Sequence, residues 1–213
     1  MKKLLVTGMI MCFVTAIFAQ SDKYVNAMKT NIASLDSMMM KGNGAELANN
    51  FDRIGDAEKT QWLPYYYASY CTITSAYRET DLSKKDAIAD KAKAFLDKAV
   101  AILGKENSET YVIRAMIATT HMTVDPQSRY MTYGAEIKED LEKSISLDAK
   151  NPRPVLTQAE NIFYTPEGFG GGKDVAKPMF NKASAMFDSF KPETELSPSW
   201  GKSALGYFLS QYK

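Results

Sequence analysis

The sequence predicts an all-α protein of about nine helices, and three observations carry that reading. Helical apolar spacing runs through almost the whole chain, and no stretch alternates apolar and polar residues for long with a hairpin turn such as Asn-Gly behind it. Gly and Pro fall in clusters that punctuate these runs: Gly42 to Gly44, Gly104, Asp125-Pro126, Asn151-Pro152, Thr165 to Gly172, and Lys191-Pro192 through Pro198. A faint self-similarity recurs every 44 to 47 residues at Ala68, Ala115, Ala159 and Ala204.

The punctuation divides the chain into helices over 21–40, 44–57, 59–79, 83–103, 108–124, 127–147, 152–164, 173–189 and 198–212. The first two form a leading hairpin, residues 20–58, whose apolar stripe Ile32, Leu35, Met38 and Met39 covers the unit that follows. The third is dense in aromatics. From there the repeat sets the pattern: Tyr111, Val155 and Trp200 each stand one turn before a repeated alanine, a large residue on the same helical face. Each such helix has a partner carrying a Lys-small pair, Lys98-Ala99, Lys143-Ser144 and Lys182-Ala183. The last helix, with Trp200, Ala204, Leu205, Phe208 and Leu209, reads as half of an unfinished repeat that closes the array.

Two runs carry a family resemblance. Phe95 to Ala115 (Phe95, Ala99, Leu103-Gly104, Tyr111, Ala115) and Leu141 to Ala159 (Ser144, Leu147, Pro152, Val155, Ala159) each resemble the end of one tetratricopeptide repeat (TPR) flowing into the next. The resemblance spans residues 59–213 and implies a right-handed α-solenoid of TPR-like helix hairpins. The units fall at 59–107, 108–151 and 152–197, with a capping helix at 198–213. A spacing near 45 exceeds the ~34 residues of the standard unit and matches the ~40–47 of armadillo-type and HEAT-type repeats, whose helix signatures fit less well.

Composition excludes several classes. At 213 residues, 45% hydrophobic and 24% charged, the chain is neither disordered, collagen-like nor a polytopic membrane protein. Met1-Lys2-Lys3, an uncharged run from Leu4 to Phe18 and then Ala19-Gln20-Ser21 read as a signal peptide over 1–19 cut after Ala19, so a periplasmic or secreted protein is expected. The Ala-Gln junction resembles those of exported Bacteroidota proteins. Cys12 follows Met9, Ile10 and Met11 rather than the small residues of a lipobox. Without Lys2 and Lys3, 24 of the 26 basic side chains stand against 25 acidic ones, a net charge of −1 that gives no nucleic-acid footprint.

Catalytic chemistry has little to work with. One His and, past Cys12, one Cys leave no zinc set and no internal disulfide, and any nucleophile would depend on His121. No enzyme, cofactor or metal is called for. Glu167 to Asp174 fails the P-loop and dinucleotide patterns; it leaves Gly170, Gly171 and Lys173 as an anion-holding loop at a helix start, against the simpler reading of a tight turn. Similar Gly-Gly loops occur in TPR-like periplasmic proteins that accompany transporters.

The aromatic helix is the better binding candidate. Trp62, Tyr66, Tyr70, Ile73 and Tyr77 form one continuous face, read here as packed, which leaves Tyr65 and Tyr67 exposed. Tyr65, Tyr67 and Tyr70 are therefore candidates to line a concave groove, extended by Arg114 and His121 two turns apart on the next repeat. The expected function is a non-catalytic exported scaffold that holds an envelope or secreted protein or peptide in that groove. The alternative is an extracytoplasmic small-molecule binder, associated with a transporter.

Overall fold

The computed structural model describes residues 21–212; the expected signal peptide and Cys12 lie outside them. The described residues form ten α-helices and two short 3-10 turns, with no strand among them. The helices are α1 (Asp22–Ile32), α2 (Leu35–Lys41), α3 (Gly44–Glu58), α4 (Leu63–Ser75), α5 (Leu82–Leu103), α6 (Ser108–Val124), α7 (Pro126–Leu147), α8 (Arg153–Tyr164), α9 (Lys173–Ser189) and α10 (Lys202–Ser210). The all-α expectation holds.

Local chemistry sets the ends. Ser21 and Asp81 accept hydrogen bonds from backbone N–H groups of the first turns of α1 and α5, and Asn107 and Thr110 make a reciprocal capping box on α6. The single helix expected over 21–40 breaks at Ala33 and Ser34, where Thr30, Asn31 and Ser34 turn their side chains back onto carbonyls four residues earlier. Lys59 caps α3 in the left-handed conformation, so α4 starts at Leu63 rather than 59, with Pro64 in its first turn where a missing N–H is harmless.

The hairpins stack in register. Helices α4, α6 and α8 begin at residues 63, 108 and 153, 45 apart, and lie side by side, while α5, α7 and α9 each pack back on the helix before them. The repeated Ala68, Ala115 and Ala159 are fully buried, as are the small partners Ala99, Ser144 and Ala183. Small residues at these crossings let the helices approach closely. Ala204 departs from the series and is only half-buried.

The chain after α9 does not continue the stack as expected. Trp200 belongs to no helix: residues 190–201 cross back over the array, and Gly201 turns the chain into α10 at φ +115°. A side chain there would strike the Phe187 ring, since a Cβ would sit 2.6 Å from its Cζ. Leu196 and Trp200 consequently join the core of the first hairpins, while Val155, Phe180, Phe187 and Phe208 form a second core among α8, α9 and α10.

Candidate functional site

Helix α4 is buried on nearly every side, so its aromatics sort by which neighbour they meet. Tyr65 is in the core, its hydroxyl donating to Asp56 at 2.8 Å, and burial followed by that bond pushes its phenol up to about 12. Tyr67 is fully buried and donates to the Leu196 carbonyl at 2.9 Å. The expected exposure of Tyr65 and Tyr67 is thus corrected: both are committed to the fold. The stripe expected to pack is instead the one that reaches the surface, with Tyr66 and Ile73 buried, Tyr70 half-buried and Tyr77 48% exposed.

Tyr70 and Tyr77 lie towards α8, on the surface between α4 and α8 that we refer to as the cleft. Helices α4 and α8 are separated by α6, yet Glu160 on α8 lies within electrostatic reach of both tyrosines, and Tyr164 lies within reach of Tyr77 and Glu160. Thr119 of α6 and Asn161 of α8 join the two helices beside Glu160 by hydrogen bonds of 3.2–3.4 Å. Trp200 stacks on Tyr70 with ring centroids 4.3 Å apart, and Tyr207 of α10 stands near Tyr164.

The wall is open to water. Tyr164 is 69% exposed and Tyr77 about half, but protein surrounds them on their flanks, and this desolvation raises the phenols of Tyr70, Tyr77 and Tyr164. Burial likewise pushes the Glu160 carboxyl up to about 8. Among the described residues no cation or hydrogen-bond donor pairs with it. The sequence signal for this residue was slight: Glu160 is the one acid on α8, with Tyr164 a turn later on the same face.

Trp200 and the cleft rest on a buried polar cluster. Arg153, 1% exposed, forks onto Glu109, which also accepts from Tyr66 at 2.7 Å and Asn151 at 2.8 Å; Trp200 Nε1 donates to Tyr66 Oη at 2.9 Å. The Arg153 guanidinium lies between the Phe190 and Trp200 rings, at 4.7 and 5.6 Å.

The remaining predicted residues lie elsewhere. Arg114 and His121 do share a face of α6, but it is turned towards α5 and α7. Arg114 bonds Glu106 and Asp140 beside a separate groove of about 390 Å³. His121 Nδ1 meets Asp86 at 2.8 Å, its Nε2 lies 3.6 Å from Asp90, and its ring stacks on Tyr133 of α7. Neither extends the tyrosine cleft. In the glycine loop, the N–H groups of Gly170, Gly171 and Gly172 donate to the carbonyls of Glu167, Pro166 and Ile162, and Lys173 lies over the Phe163 ring. The loop's donors are already used, which corrects the expectation of an anion cradle at Gly170 and Gly171.

The fold defines the class: an all-helical protein of paired helices, with exposed tyrosines on the surface between α4 and α8. No protein-family model matches the chain, and no curated protein matches it. A solved structure does: the HusA haemophore from Porphyromonas gingivalis is 33% identical, with a TM-score of 0.77, over 92% of this chain and 95% of that one. The chain belongs to the HusA family.

Proposed function

We propose that the protein is a non-catalytic carrier that binds a haem-type porphyrin against the tyrosine wall of the α4–α8 cleft. The relationship to a haemophore along 95% of that protein's length carries the reading. It favours the small-molecule expectation over the peptide one, with the stacked hairpins as the scaffold that carries the tyrosine wall. The chemistry is suitable: a porphyrin offers a flat apolar ring and a carboxylate edge, and Tyr70, Tyr77, Tyr164 and Trp200 offer aromatic faces with polar tips. The sole His is held by Asp86 and Asp90 away from the cleft, so recognition there rests on the ring and its edge. The signal peptide expected over residues 1–19 supports a carrier that acts outside the cytoplasm.

Haem titrated into the purified protein is expected to quench the fluorescence of Trp200 and to saturate at one site. A paired Tyr77→Ala, Tyr164→Ala variant should bind at least ~10-fold more weakly, as loss of two stacking contacts of roughly 1 kcal/mol each implies. Non-saturable quenching, or an unchanged affinity in the paired variant, would overturn the assignment.

A further inference from the structure

A second concave surface lies among α5, α6 and α7, apart from the tyrosine wall. Helices α5 and α7 each pack back on α6. One end of this three-helix seam is clasped shut: Asp86 of α5 takes the Arg129 fork of α7 at 2.7 and 2.9 Å and meets His121 of α6 at 2.8 Å. Two turns back along α6 the helices leave a groove of about 390 Å³, the size of a small-ligand site. Leu96 and Val100 of α5 and Ile117 of α6 give it an apolar lining, and Lys105, Arg114 and Glu136 are among its charged groups.

These charges are unevenly matched. The Arg114 guanidinium is shared by Glu106 and Asp140, at 3.2 Å each, and Glu136 acts on Asp140 from the same side, so three carboxylates gather about one cation. Asp140 is 4% exposed, and its Oδ2 is buried with no hydrogen-bond donor among the described residues. Burial, reinforced by Glu136 and Glu106 against the pull of Arg114, pushes its carboxyl up to about 6. Lys93 on the α5 wall is taken by Asp97 at 2.8 Å. The side chains of Glu136 and Lys105 have neither ion pair nor hydrogen bond among the described residues. The groove therefore offers an acidic side that is one cation short, a free ammonium at its loop end, and an apolar strip beside them.

We infer that this groove binds a basic amino acid with a free carboxylate, as the single amino acid or as the last residue of a peptide. The aliphatic stem lies on Leu96, Val100 and Ile117, the cationic head meets Glu136, and the carboxylate meets Lys105. Arginine suits the site better than lysine, because its planar fork engages one carboxylate through two N–H groups. No residue is shared with the tyrosine wall, so the inference stands or falls independently of the porphyrin reading.

The test titrates arginine, agmatine (no carboxylate) and norleucine (no cation) into unloaded, isotope-labelled protein and follows the amide resonances of Leu96, Lys105 and Ile117. Arginine should saturate with a Kd on the order of millimolar, since exposed ion pairs are weak, and the other two should each bind about fivefold more weakly or worse. Glu136→Gln should weaken arginine and agmatine about fivefold and leave norleucine unchanged, whereas Lys105→Gln should weaken arginine and norleucine and leave agmatine unchanged. The tripeptide Gly-Gly-Arg separates the two sources: affinity equal to that of arginine marks a peptide end as the ligand, and loss of binding marks the free amino acid. Equal affinity for arginine, agmatine and norleucine, resonance shifts confined to residues outside the groove, or no saturable binding of arginine would rule the site out. That ligand series needs only wild-type protein, so a folding defect in a variant does not blunt it.

Discussion

Glu109 is the residue on which the molecule's polar interior converges. Its two oxygens take the Arg153 fork, the Tyr66 hydroxyl and the Asn151 amide, and through Tyr66 they hold the indole of Trp200. A buried pair of this kind costs much more to break than it gains over an apolar substitute, because the survivor is left charged and dry. Glu109→Ala should therefore lose ~3–5 kcal/mol in urea denaturation, whereas joint Glu109→Leu, Arg153→Met replacement should lose clearly less. Glu160 makes a second prediction with a definite sign. Its carboxyl is raised in the folded state, so between about pH 4.5 and about pH 8 the native protein binds a proton that the unfolded chain has released, and stability falls as pH rises through that window. Glu160→Gln should flatten that decline, a difference of ~1–3 kcal/mol at alkaline pH once the open side of the cleft is allowed for. Parallel stability–pH curves for the two proteins would refute it.

At the scale of elements, helices were legible because their stops are chemical: Gly42, Gly104, Pro126 and Pro152 mark ends, and the buried alanines of α4, α6 and α8 mark their spacing. The phase of α4 was not legible. Eleven of its residues are buried, so apolar side chains occupy every side of the helix and periodicity cannot distinguish a core face from a cleft face. Of the candidates Tyr65, Tyr67 and Tyr70 that the sequence offers for the binding wall, Tyr65 and Tyr67 are buried in the core, Tyr70 lies on the side that reaches the surface, and Tyr77 on that same side is not among the candidates. For the glycine loop the sequence offered two readings, and packing decides between them. A Cβ on Gly171 would lie 2.3 Å from the Thr165 carbonyl oxygen, whereas one on Gly168 meets nothing within 4 Å. Gly171→Ala should thus cost about 1–3 kcal/mol through forced displacement of the α8–α9 turn. Gly168→Ala, in a 3-10 turn an alanine can adopt, should be neutral or stabilising by about 0.4–1 kcal/mol. Thermal melts of the two variants separate a packing role from an anion-binding one, in which both glycines would matter only in the presence of ligand.

For the whole molecule the decisive feature is residues 190–201, which no local signal announced because their partners lie more than a hundred residues away. Tyr67 bonds Leu196 over a separation of 129 residues and Tyr66 bonds Trp200 over 134. In an open array each hairpin touches its neighbours alone, and stability is a sum of units and nearest interfaces that can melt piecemeal. Here the last third of the chain is returned to the first: Leu196 and Trp200 sit in the apolar core that reaches from α1 to α6, while Gly201, at the end of the same segment, lies against Phe187 and Leu156 of the core among α8, α9 and α10. That tie also holds one end of the cleft, since the Trp200 ring that stacks on Tyr70 is the same ring that Tyr66 anchors. Wild-type protein should therefore unfold as one cooperative unit, with amides of α4 and α8 exchanging at the same free energy. Trp200→Ala removes the anchor at a cost of ~3–5 kcal/mol, and it should split that behaviour: α8 to α10 should open first, while α3 to α6 stay protected. A variant that loses stability but keeps equal protection across the two cores would show that the hairpin interfaces alone suffice for cooperativity, and that residues 190–201 serve the cleft rather than the fold.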